Sequence, residues 1–271
     1  MIRAAGLWLL CPIIAVCSSP DVQTIIKKSV SANEADWKAG PNYLYRERDR
    51  VGANTKTYEV TMILGSPYRR LMAVNEEPLS PQARANEQRK LERTTAQRRE
   101  ESPDQRQKRI AQYEKERRRD HLLMGQLTQA FDFKLIGSRI IESRDVYVLR
   151  ATPRKGYRPP NMQAQVLPGM RGELWIDKET FQWVKVTAHV IRPVSIEGFL
   201  AQVQPGTRFE LEKMPVDDGI WLARHFEMKS SAKILFMFNR SDQEDSTFFD
   251  YRKIPNSESA SATGPGPSKS K

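Results

Sequence analysis

Chemistry in a polypeptide begins with groups that titrate near neutral pH or attack carbon, and this chain holds few of them in useful groupings. Its three histidines, His121, His189 and His225, have no further histidine, cysteine or clustered acid at metal-ligand spacing. His189 and His225 read as strand residues and His121 as a helix-surface residue. The acidic neighbours Asp217-Asp218 and Glu244-Asp245 fall in predicted turns, where a short carboxylate bonds local backbone rather than pairing as general acid and base. No G-x-S-x-G, P-loop or G-x-G-x-x-G string occurs, and both cysteines, Cys11 and Cys17, lie in the first 17 residues. The expectation is a noncatalytic protein with no catalytic residue, no cofactor and no metal.

What the sequence does concentrate is apolar surface. Trp175, Trp183, Phe209, Trp221, Phe226, Met228, Phe236, Met237 and Phe238 recur through strand-like segments. Such stripes either pack a core or line a pocket. Read as a pocket, the lining set is Val60, Met62, Leu64, Trp175, Trp183, Phe209, Phe226, Met228, Phe236 and Phe238. A ligand suited to such a wall is an acyl chain, because each methylene removed from water contributes about 0.8 kcal/mol.

The elements that must hold this surface are strands. From Gly172 to Ile254 the chain repeats apolar alternation, a turn, then alternation again. Asp177 to Thr180 is the first hairpin turn; Phe181, Trp183, Thr187, His189 and Ile191 share one face, and Val184, Val186, Ala188 and Val190 the other. A second hairpin turns at Asp218-Gly219, and WLARHFEM, KILFMFNR and STFFDYRKI read as strands. Upstream, Ser19 is the expected N-cap of a helix, with Pro20 at its first position, Asp21 in its first turn and an apolar stripe of Val22, Ile26, Val30 and Trp37. Strands are expected at Tyr43–Val51, Lys56–Gly65 and Tyr68–Val74, and again in FKLIGSRIIES and RDVYVLRATP. Several strands are apolar on both faces, so the sheet needs two covers. One amphipathic helix and the turns near Leu123, Leu127 and Phe131 are too little for this, and a cavity between sheet and helices follows.

Residues 80–131 differ in character. Ser80-Pro81 starts one helix, and Ser102 to Gln105 starts a second with capping-box spacing. Between Pro81 and Asp120 cations outnumber acids by thirteen to eight, and the bulky apolar residues before Arg119 are Leu91, Ile110 and Tyr113. A helix this polar is expected to project into water. It is either a solvated, salt-bridged face or a docking arm for an anionic membrane surface, with Arg117, Arg118 and Arg119 as its densest patch. With Tyr113 as its one aromatic, the arm lacks a stacking platform, and nucleic acid is not expected as a partner.

The formal net charge is +11 over 271 residues, which favours anionic partners. Residues 1–17 combine Arg3 with an apolar run and read as an export signal, which places the mature chain in the periplasm or at the outer membrane. Ile-Ala-Val-Cys resembles a lipobox, so Cys17 is either a lipidated anchor or removed by cleavage near Ala15 to Ser18. Residues 255–271 carry no large apolar side chain and are expected to be disordered.

The order of these parts, with GELWIDKETFQWVKV, VDDGIWLA and FFDYRKI, resembles the LolA-like superfamily of lipoprotein carriers, their acceptors and RseB-type sensors. Gly172, Leu174, Trp175, Ile176 and Asp177, then Gly219, Trp221 and Leu222, then Asp250, Tyr251 and Arg252 carry the likeness, which spans residues 18–254. It implies an α+β fold: a half-open antiparallel β-barrel, a strongly curved sheet with helices covering its concave face, here bearing a long charged helical insertion. It also implies binding of a lipid or acylated lipoprotein by a monomer. The alternative is an envelope interaction or sensor module with a closed core that works through its charged arm.

Overall fold

A computed structural model describes residues 21–196, 201–217, 219–234 and 238–255. The export segment with Cys17, Ser19, Pro20, Asp218, Phe236, Met237 and residues 256–271 lie outside the described residues, as do the side chains of Arg119, Leu123 and Phe238.

Alternating apolar residues build one antiparallel sheet. Among the described residues its strands are β1 (Tyr43–Val51), β2 (Asn54–Ile63), β3 (Ser66–Val74), β4 (Glu77–Pro78), β5 (Phe131–Ile141), β6 (Arg144–Pro153), β7 (Met170–Asp177), β8 (Trp183–Val190), β9 (Val194–Ile196), β10 (Ala201–Val203), β11 (Arg208–Asp217), β12 (Ile220–Ile234) and β13 (Phe238–Lys253). The order is β4-β3-β2-β1-β13-β12-β11-β8-β7-β6-β5, with β10 paired to the end of β12 and β9 to β10. The outer strands β4 and β5 do not meet, so the barrel stays half open. Register shifts at Leu44/Arg46, Thr57/Tyr58, Leu135/Gly137, Trp175/Ile176 and Glu212/Lys213 put an extra residue on one strand of a pair. Such bulges bend a strand and strengthen its twist, which curls a sheet this wide.

One bulge changes the expected facing of a hairpin. Lys185 pairs with Trp175 and Trp183 with Ile176, leaving Val184 as the extra residue. Trp183 therefore joins Val186 and Val190 in the core instead of facing away from them. The last strands are also longer than their sequence segments: of the expected strand over 233–240, Lys233 and Ile234 end β12 and Phe238 to Arg240 open β13, while 235–237 lie outside the described residues, and Glu244-Asp245 sits inside β13 rather than in a turn.

Asp21 is the N-cap of α1 (Val22–Ala39), one residue before the helix and not within its first turn; its carboxylate accepts from Thr24 N at 3.3 Å. The face α1 buries is Ile25, Ile26, Ser29, Asn33 and Asp36, rotated from the expected stripe. Ile25 and Ile26 pack with Phe131, Leu149, Leu174, Ile176, Trp183 and Val186, over β5 to β8. An 18-residue helix is about 27 Å long, whereas eleven strands side by side span about 48 Å. Half of the sheet is left for other cover.

That cover comes from α2 (Pro81–Glu100) and α3 (Pro103–Ala130), the second opened by the expected Ser102–Gln105 capping box. Rather than projecting into water, the pair folds back onto the β2–β3 hairpin. Arg98 donates to the carbonyls of Ile63 at 2.9 Å, Ser66 at 2.8 Å and Pro67 at 3.1 Å. Arg109 donates to Leu64 O at 3.1 Å and Ser66 Oγ at 2.7 Å while pairing with Glu101 at 2.6 Å. A guanidinium fork can serve several turn carbonyls at once, which fastens a polar helix without an apolar stripe.

Candidate functional site

Where α1 runs out, a cavity of about 590 Å³ opens between helices and sheet. Its roof is Asn33, Asp36 and Trp37 of α1, the following turn at Gly40 and Pro41, and Tyr113, Arg117 and His121 of α3. Its floor is laid by β1 (Tyr43, Tyr45), β2 (Val60, Thr61, Met62), Pro67 of β3, β11 (Leu211, Lys213), β12 (Trp221, Leu222, Ala223, Phe226) and β13 (Phe248, Tyr251). The floor is aromatic at its centre: the Tyr45 ring lies 6.0 Å from Phe248 and 5.3 Å from Tyr251, whose hydroxyl donates to Ala223 O at 2.7 Å.

One wall is polar, its charges paired with one another. Lys213 Nζ bonds the Asp36 carboxylate and Asn33 Oδ1, the latter at 2.8 Å. Asp36 also accepts from Trp221 N at 2.9 Å and from Gln182 Nε2 at 3.1 Å. Burial pulls the Lys213 amine below the usual lysine range, with Asp36 working the other way. Tyr43 donates to Asp217 at 3.1 Å; burial and that carboxylate push its hydroxyl up.

At the roof, Trp37 is held by two α3 side chains one turn apart. The Arg117 guanidinium sits 4.4 Å from its ring centroid and donates to its carbonyl at 2.5 Å. The His121 ring stacks on Trp37 at 4.3 Å and 17°, with Nε2 2.6 Å from Glu34 Oε2. Burial works upward on Glu34, but hydrogen bonds from Lys38 and His121 outweigh it and hold the carboxyl low. His121 is thus part of the α1–α3 contact, not a free helix-surface residue.

Of the expected lining set, the structure brings Val60, Met62 and Phe226 to the cavity, joined there by Trp221 from the same apolar stripes. Leu64 lies in the β2–β3 turn, with its carbonyl on Arg109. Trp183 is in the packed core beneath α1, and Phe209 packs against that core. Trp175 faces the other side of the sheet from Leu174 and packs with Val146, Val184 and Trp221. Met228, half-buried, stands opposite Glu244 and Phe209, beyond the cavity lining. The Arg117-Arg118-Arg119 patch is divided: Arg117 turns inward and Arg118 is exposed. Sequence reading gave no place in the site to Tyr43, Tyr45, Phe248 or the Asp36–Lys213 pair, nor to Tyr251, which entered only as a motif residue. The aromatics of the first and last strands form one floor only because β1 pairs with β13.

The hairpin motif residues have structural tasks. A Cβ on Gly172 would stand 2.3 Å from the Thr187 carbonyl oxygen, so β7 and β8 approach this closely only with glycine there. Asp177 is buried and accepts from Glu179 N at 3.0 Å, Thr180 N at 2.8 Å and Thr180 Oγ1 at 2.9 Å, closing the turn.

No protein-family model and no curated protein sequence matches the chain. Similar solved structures include a LolA-superfamily protein from Nitrosomonas europaea, at 11% identity and TM-score 0.32, covering 88% of this chain and 97% of that one. Another is described as an outer membrane lipoprotein-sorting protein domain from Vibrio parahaemolyticus, at 10% identity and TM-score 0.30, covering 84% and 93%. A third is the Pseudomonas aeruginosa MucA/MucB complex, at 11% identity and TM-score 0.23, covering 84% and 99%. The half-open architecture itself rests on the strand order and register given above.

Proposed function

We propose that the protein is a noncatalytic envelope protein that binds acyl chains, carried on a lipid or an acylated lipoprotein, in the cavity between α1, α3 and the sheet. The observation that supports this is a cavity of about 590 Å³ with a mostly hydrocarbon and aromatic lining, within the ~300–1,000 Å³ range of ligand pockets. It favours this reading over a closed interaction module. Entry of an apolar chain would be driven by removing it and the cavity wall from water together. The chain would be drawn from an anionic membrane surface, met by the outward side of α2 and α3. There Arg89, Arg93, Arg99, Lys108, Lys115 and Arg118 are exposed, interspersed with Glu92, Glu100, Asp104 and Glu116.

Native mass spectrometry of protein purified gently from its own envelope, followed by organic extraction, tests the proposal. Co-purifying phospholipid or acylated peptide is the expected result. A protein of bare chain mass that takes up no lipid on incubation with phospholipid vesicles would overturn it.

A further inference from the structure

We infer that the face of the sheet turned away from the helices carries a second site, a row of cations that binds a linear acidic polysaccharide. This site is independent of the cavity and of the acyl-binding reading.

Register fixes which side chains share that face. Met170 and Leu174 of β7, Val190 of β8 and Phe209 of β11 pack in or against the core, so their neighbours Arg171, His189 and Arg208 point away from it. Arg171 stands opposite His189, His189 opposite Arg208, Arg208 opposite Lys229 and Lys229 opposite Gln243. Cross-strand partners share a face, so the five residues form one line across β7, β8, β11, β12 and β13. At a strand spacing of about 4.8 Å the line is about 19 Å long. All five residues are exposed.

Arg208 directly opposite Lys229 is a like-charge pair, which costs stability unless an anion lies between. The next row along the strands shows the ordinary solution: Glu173 pairs with Arg150 at 3.4 Å, Glu210 with Lys185 and Asp245 with Arg50 at 3.6 Å. In the outer row Arg208 has Glu227 at 3.9 Å, but among the described residues Arg171, His189 and Lys229 have no ion pair. Beyond the row, residues 190–196 and 201–207 hold no acid and add Arg192. Uncompensated positive charge thus lies in single file at one end of this face.

The shape of the row selects the partner. A flat bilayer touches the outside of a curled sheet over a short stretch, and the cations of α3 lie over the other face, so one membrane cannot meet both. An acidic peptide gains its hold from a free sheet edge, a groove or apolar pockets, whereas β7, β8, β11 and β12 are interior strands paired on both sides. An acidic polysaccharide needs neither. Its carboxylates suit the guanidinium forks of Arg171 and Arg208, and its hydroxyls suit the imidazole of His189 and the amide of Gln243 in the same line.

The test is fluorescence anisotropy of an end-labelled oligogalacturonate with the intact protein at low ionic strength. Arg171→Gln/Arg208→Gln/Lys229→Gln exchanges exposed side chains alone and is expected to bind about tenfold more weakly than native, with a shallower dependence of affinity on salt. Lys115→Glu/Arg118→Glu, on the helices, is expected to stay within about twofold of native. No binding by the native protein, a triple variant within about twofold of it, or equal binding of an uncharged galactose oligomer would overturn the inference. Oligoglutamate displacing the sugar at lower concentration than unlabelled oligogalacturonate would make the partner a peptide and overturn it too. So would a triple variant that loses cosedimentation with anionic vesicles while keeping the sugar, since the row would then be a membrane contact.

Discussion

Replacing Asp36 with alanine strikes the buried junction between α1 and the sheet. The Lys213 side chain is 9% exposed and that of Asp36 4%, so the change strands a buried ammonium with Asn33 as its remaining partner. Breaking a buried pair from one side costs about 3–5 kcal/mol. Trp221 N–H loses its acceptor as well, at about 1–3 kcal/mol, whereas Gln182 Nε2 keeps the Gly219 carbonyl at 3.0 Å. Because both losses fall on one relaxing site they overlap, and the expected total is about 4–6 kcal/mol. Asp36→Leu/Lys213→Met removes both charges and leaves chiefly the orphaned Trp221 amide, so its expected loss is about 1–3 kcal/mol. Urea unfolding monitored by tryptophan fluorescence reads both values. A single variant that loses less than about 1 kcal/mol, or a double variant no more stable than the single one, would refute the reasoning.

Three further outcomes are expected. Burial pushes the Glu47 carboxyl up to about 7, with Arg69 opposing and Asp49 adding to the shift. The folded protein then keeps a proton that the unfolded chain releases near its ordinary value of 4.5. The stability linked to this proton is present below that value and disappears as pH rises through about 7. After allowance for solvent screening it amounts to about 1–2 kcal/mol, so Glu47→Gln should flatten the urea midpoint between pH 5 and 8; an unchanged slope would remove Glu47 as its source. Gly172→Ala forces a Cβ against Thr187 O and should lose about 1–3 kcal/mol, seen as a lower thermal midpoint; a midpoint within a degree of native would show that β7 and β8 can separate freely. Lys115→Glu/Arg118→Glu should weaken cosedimentation with vesicles containing anionic lipid and leave secondary structure intact, while equal sedimentation would remove the helical hairpin as the contact.

Much of the sheet was legible because strand period and turn residues act locally. Tyr43–Val51 is a strand over the same residues in sequence and structure, and the Ser102–Gln105 box opens α3 as its spacing predicts. Trp183 was assigned to the wrong face because strict alternation fails at a bulge, and Val184 gives no local sign of being the extra residue. The fastening of α2 and α3 was hidden for another reason. Arg98 and Arg109 bond backbone carbonyls 31 to 45 residues away, and such acceptors have no residue type to read. The cavity floor was only half seen, since Val60, Met62 and Phe226 announce themselves as apolar strand residues while Tyr45 and Tyr251 meet through the closure of β1 on β13. Asp36 did leave a trace: it follows Ile25, Ser29 and Asn33 along one helix face, a charge where a packed helix should carry none.

Between the end of α1, α3 and the sheet a space of about 590 Å³ remains, apolar-walled, which the chain's own helices cover but do not fill. A molecule that filled this space would act as a further piece of the core, supplied from outside the chain. Occupancy and folding are then linked quantities: a ligand at a hundred times its Kd adds about 2.7 kcal/mol to the native state. Thermal stability would become a gauge of loading, and the empty form would be the one most exposed to proteolysis, so that a population of this protein would be pruned toward its filled members.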